Sequence, residues 1–240
     1  MLKKFFFILS FPVILFTLQA ADTVYFVPGW YSEWIIYSNH VKILQQLFPE
    51  SEVKVCKWDS NRLWSNAKLS AGNYVKELAG EVLAQPENSS VILIGHSLGG
   101  RIVLDTAAEL AGKNRRVEQL ILLGTAGILS EDDMKNCRSV SRKPVINIYC
   151  PEDNMLKLFL KKEKCAPLGF AGLPRREKHF RQFMMAVPDK DIKLGKVTVI
   201  PAKATEFFRD TAAHLAKKYL HTLSEAMSGS LSESYPSETP

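Results

Sequence analysis

The chain has 240 residues, 46% hydrophobic, 10% aromatic and 23% charged, a balance that supports one buried core and excludes disordered and fibrous classes. Its formal net charge is +6, which becomes +4 once Lys3 and Lys4 leave with a leader, and no Lys/Arg stripe with interleaved aromatics occurs. Nucleic acid is therefore set aside as a partner.

Residues 1–20 read as a secretory signal peptide: Lys3 and Lys4, an apolar run from Phe5 to Leu18, then the small residues Ala20 and Ala21. The run falls short of the ~20 residues that span a bilayer comfortably, so cleavage and export (periplasmic or secreted) are expected over an uncleaved anchor. Cys56, Cys137, Cys150 and Cys165 would allow three full pairings in an exported protein; none has C-x-x-C spacing, and Cys56 in "EVKVCKW" reads as a buried thiol.

From residue 21 to 227 apolar, β-branched runs alternate with helical patterns, which predicts one α/β domain with a mostly parallel sheet and helices on both faces. Strands are expected at 23–27, 52–58, 90–94, 119–123, 145–149 and 197–200. Helices are expected at 33–48, 71–84, 98–111, 154–161 and 211–226. Residues 162–193 interrupt the alternation just before the last strand, and a connection of that length suggests a lid or binding loop. Basic residues there flank Leu168, Phe170, Leu173, Phe180, Phe183, Met184 and Met185, the ingredients of a lid that opens on an anionic membrane surface. Residues 228–240, rich in Ser and Pro, read as a disordered tail.

The chemistry centres on "VILIGHSLGGRIVL". A buried strand ends in G-x-S-x-G and an amphipathic helix begins, so Gly95 and Gly99 bracket Ser97 on a sharp turn that exposes its hydroxyl. The helix N-terminus points at charge developing there, and the Leu98 amide becomes an oxyanion donor. A carboxylate to orient a base belongs at the end of a later strand, where "VINIYCPEDNML" offers Glu152 and Asp153. Asp153 is preferred as the residue in the turn, with a helix N-cap as its other role. The base should follow the last strand, which selects His214, with His179 as the competitor. In "VYFVPGWYSEW", Gly29 permits a tight turn and Trp30 supplies a second backbone N–H, while Tyr31 and Trp34 are candidates to line the substrate pocket.

The order of "YFVPGW", "GHSLGG", "YCPEDNML" and "RDTAAHL" resembles the α/β-hydrolase superfamily, most closely a small bacterial esterase or lipase-like serine hydrolase. The resemblance covers residues 23 to about 223. It implies the α/β-hydrolase fold and cleavage of a small-molecule or lipid ester by Ser97, Asp153 and His214 through an acyl-enzyme, with no metal or organic cofactor. Two departures stand out: Pro28-Gly29 replaces the His-Gly of many relatives, and His214 lies farther beyond the last strand than usual. Acyl transfer or thioester cleavage by the same triad, and a noncatalytic secreted binding protein on the same fold, are the alternatives.

Overall fold

A computed structural model describes residues 22–31, 38–185 and 216–236. Six strands form one all-parallel sheet in the order β2-β1-β3-β4-β5-β6. The strands are β1 (Thr23–Val27), β2 (Glu52–Val55), β3 (Val91–His96), β4 (Gln119–Leu123), β5 (Val145–Tyr149) and β6 (Phe180–Met184). The helices are α1 (Ser38–Leu47), α2 (Trp64–Ala84), α3 (Leu98–Gly112), α4 (Glu131–Val140), α5 (Asn154–Glu163), α6 (Leu168–Ala171) and α7 (216–227).

The central strands are buried on both sides, as expected of a parallel sheet covered by helices, and they divide their side chains by parity. Tyr25, Val27, Leu93 and Leu122 join a core with Leu78 of α2 and Ile102 and Leu104 of α3. Val24, Phe26, Ile94 and Ile121 face the other way, against Leu44 of α1 and Leu220 and Leu223 of α7. Helices therefore cover both faces, and the two cores meet only through the sheet.

Several elements differ from expectation. α2 begins at Trp64 rather than 71. α4 was not anticipated; Ser130 caps it, its hydroxyl accepting from the Asp133 amide at 3.1 Å while the Asp133 carboxylate accepts the Ser130 amide at 2.8 Å. Within the segment 162–193, α6 follows α5, and residues 180–184 form β6, paired in parallel with β5. The apolar residues counted toward a lipid-facing lid are largely interior: Leu168, Leu173, Phe180, Phe183 and Met185 are buried. Residues 231–236 of the segment expected as a disordered tail run beside β6, where the Ser234 amide donates to the Gln182 carbonyl at 2.9 Å and Glu233 pairs with Arg181. The strand expected at 197–200 lies outside the described residues, as do the leader 1–20 and residue 21.

The tightest approach in the fold is that of α3 to the end of β1. A Cβ on Gly99 would meet the Pro28 carbonyl oxygen at 2.6 Å and the Val27 carbonyl still more closely, so only glycine fits there. Gly80, exposed inside α2, has open space around it. Gly99→Ala should lower stability by about 2–3 kcal/mol through overpacking, whereas Gly80→Ala should raise it by about 0.5–1 kcal/mol. Urea unfolding midpoints of the two variants, moving in opposite directions from wild type, are the check.

Candidate active site

Ser97 stands between the end of β3 and the start of α3 with φ 53° and ψ −121°, a conformation that costs a non-glycine residue about 1–3 kcal/mol. Its backbone is held from three directions. The Ser97 amide donates to the Leu123 carbonyl at 2.9 Å, and its own carbonyl accepts from Gly100 at 3.0 Å and Ala126 at 2.9 Å. Leu98 opens α3, so its amide is among the N-terminal N–H groups that have no partner inside the helix. The loop after β1 passes directly over this turn: a Cβ on Gly29 would lie 2.8 Å from the Ser97 Cβ and 3.3 Å from its Oγ. Backbone of both segments thus lies beside the serine hydroxyl.

Asp153 follows β5 and is 3% exposed. Its Oδ1 accepts from the amides of Met155 at 2.9 Å and Leu156 at 3.1 Å, capping α5, while Oδ2 accepts from the Tyr219 hydroxyl at 3.0 Å. Burial pushes the Asp153 carboxyl above the usual range, and these donors together with Lys157 pull it back. Tyr219, wholly buried on α7, sets its ring 5.6 Å from that of His96. Glu152, the other acid considered, is exposed.

Ser97 and Asp153 line one cavity of about 260 Å³. Trp30 and Tyr31 belong to its wall, together with Trp64, Leu158 and Phe159. The Trp30 indole donates to the Arg62 carbonyl at 2.8 Å and its ring meets Trp64 edge-on at 5.1 Å. His214 and Trp34 lie outside the described residues. His179 is excluded as a base by topology. Its carbonyl accepts from the first residue of β5, so it lies at the N-terminal end of the strands, whereas Ser97 lies past their C-terminal ends. That is about 16 Å along the strand direction, and three strands, or about 14 Å, across the sheet. His221 is exposed on α7, and His40 sits on α1 with its ring stacked on Phe26. Sequence reasoning did not single out Trp64, Phe159 or Tyr219, and counted Lys162 only among the basic residues around the expected lid. "AKKYL" carried only a core signal for Tyr219, and the others reach the cavity through tertiary contacts.

The sequence profile of a family described as "Protein of unknown function (DUF726)" matches residues 31–189, which include both Ser97 and Asp153. The chain belongs to this family. No curated protein matches its sequence. Among solved structures, the metagenomic carboxyl esterase MGS0156 is similar with a TM-score of 0.51 and 12% identity, covering 93% of this chain and 80% of that one. The Francisella virulence factor BioJ is similar with a TM-score of 0.42 and 13% identity, covering 84% and 78%. The fold of this family member is the α/β-hydrolase fold.

His96 next to the serine is buried so completely that its imidazole is pushed down to about 3, with the neighbouring His40 adding to the shift. The unfolded chain, with a histidine pKa of about 6.5, then binds the proton that the folded state refuses, so this contribution to stability is complete above about pH 6.5 and is lost on acidification toward pH 3. Wild type should therefore lose more stability than His96→Gln between about pH 7 and pH 4.5. Urea titrations at both pH values measure the difference; equal losses would mean that the folded protein protonates His96 freely.

Proposed function

We propose that this protein is an exported serine hydrolase that cleaves carboxylic esters through an acyl-enzyme. One observation carries the proposal: a serine held in a strained strand-to-helix turn and a buried carboxylate line the same cavity, under a loop whose backbone passes beside the serine. The fold shared with a carboxyl esterase agrees with it. Ser97 Oγ attacks the ester carbonyl carbon while His214 takes the hydroxyl proton. The tetrahedral intermediate collapses, the C–O bond to the alcohol breaks, and the alcohol leaves with that proton. Water then adds to the acyl carbon as His214 takes its proton, and Oγ departs reprotonated, releasing the carboxylic acid. Asp153 fixes the imidazole tautomer and stabilises its charged form. The amides of Leu98 and Trp30 hold the oxyanion, and losing one such donor costs about 10²–10³-fold in rate.

Support for His214 comes from its neighbourhood in the chain and from the other histidines. Tyr219, five residues further on, bonds directly to Asp153, which brings the start of α7 to the acid. His96 is kept neutral by burial, and His179 is at the far end of the sheet. The lysine-led apolar leader accounts for export.

Labelling by a fluorophosphonate and hydrolysis of 4-nitrophenyl butyrate test the proposal together. Wild type should react with both, Ser97→Ala with neither, and His214→Ala should fall by about 10³-fold or more. His179→Ala should retain both reactions. Labelling that survives in Ser97→Ala, or is lost in His179→Ala, would overturn the assignment.

A further inference from the structure

α5 runs from Asp153 along the cavity toward its mouth. Half of its residues are apolar, in "NMLKLFLKKE", yet Leu156 alone is buried. Leu158 is 43% exposed at the cavity. Lys162, near the far end of the helix, lines the same cavity as Ser97. Between them stands an aromatic wall centred on Trp64, whose ring meets Trp30 at 5.1 Å and Phe159 at 5.4 Å, both edge-on.

Two ammonium groups flank this wall, each with Nζ 5.7 Å from the Trp64 ring centre. They are not equivalent. Lys68 donates to both oxygens of Glu163, at 2.9 and 3.1 Å, and the same carboxylate accepts the Trp64 indole N–H at 2.6 Å. Glu163 is thereby committed. Among the described residues no carboxylate comes within ion-pairing distance of Lys162; Glu163 feels its charge but is bonded to Trp64 and Lys68, and Lys162 is the cation that lines the cavity. An apolar, aromatic trough lined by a serine at one end and a lysine at the other matches a chain with an ester at one end and an anion at the other.

We propose that the cavity selects esters whose acyl chain ends in an anionic group such as a carboxylate, the chain lying along the Trp30–Trp64–Phe159 wall and the anion meeting Lys162. This rests on the ester-cleavage reading of Ser97. The length of the chain follows from the helix. Lys162 is nine residues beyond Asp153, about 13 Å at 1.5 Å per residue, and an extended chain advances about 1.2 Å per bond, so with the reach of the lysine an acyl chain of about eight to ten carbons fits. Lys162 is exposed, so salt screens its pull on the anion, while its contact with the indole face holds the ammonium beside the wall.

The experiment compares mono-4-nitrophenyl esters of dicarboxylic acids with 4-nitrophenyl esters of monocarboxylic acids of equal length, across a series of about four to twelve carbons. For wild type at low salt, kcat/KM should favour the carboxylate-terminated ester about fivefold near eight to ten carbons and not at the short end, and the preference should shrink as salt is added. Lys162→Gln should bring the ratio between the two series to about one, and Lys162→Glu should invert it. Lys113→Gln, at the distant end of α3, should leave the ratio as in wild type. A wild-type ratio of one at every length, or a ratio unmoved by Lys162→Glu, would overturn the selectivity. Silence of both series would instead overturn the esterase reading itself, and the selectivity with it.

Discussion

The contact on which the rest of this structure depends is the approach of the first turn of α3 to the last residues of β1. Backbone meets backbone there, since the space that a Gly99 side chain would need is filled by the carbonyls of Val27 and Pro28. Because β1 ends against α3, the chain must leave over the β3–α3 turn, and Gly29 comes to rest beside Ser97. The strained φ of Ser97 follows from the same constraint. Strain of about 1–3 kcal/mol persists only where the surroundings over-determine it, and here the serine amide and carbonyl are both fixed, by β4 and by the first turn of α3. The strained serine and the loop above it are consequences of one packing event.

Asp153 shows why two readings of a residue need not compete. A carboxylate has two oxygens and room for about four donors. Oδ1 is spent on the α5 N-terminus and Oδ2 on Tyr219, which leaves room for a further donor. Capping and orienting a base are thus compatible, and the cap helps the other role. Two amides and a phenol offset part of the burial that otherwise disfavours the charged form. Tyr219 extends the arrangement by joining α7 to the acid and covering His96, so the interior side of the site is closed by an apolar ring bearing one hydroxyl.

How much of this was legible in the sequence follows physical lines. β1, β4 and β5 have the bounds expected of them, because strands covered on both faces leave continuous apolar runs. β6 did not read as a strand: "FRQFM" places Arg181 and the buried Gln182 among apolar residues, and Gln182 is tolerated only because Asn147 and the Leu173 backbone bond to it. α4 is too polar for its periodicity to stand out, although its S-x-x-D capping signal was there to be read. Ser97 and Asp153 could be picked out because each is defined by its immediate chain context, a glycine-bracketed turn and the end of a buried strand. Trp64, Phe159 and Lys162 carry no such local mark. They become a wall only when residues nearly a hundred positions apart meet, as in the bond from Trp64 to Glu163.

That long-range bond also bears on how the cavity keeps its shape. With Leu156 its only buried residue, α5 has little hydrophobic burial to hold it, far less than α2 or α3. What fixes it is polar contact at both ends, Asp153 capping its first turn and Glu163 in its last turn clasping Trp64 and Lys68 of α2. The residue that anchors the inner end lines the cavity beside Ser97, and the residue that anchors the outer end bonds to Trp64 of the aromatic wall. One short, half-exposed helix thus carries both Asp153 and part of the aromatic wall, whereas Ser97 is held by the sheet.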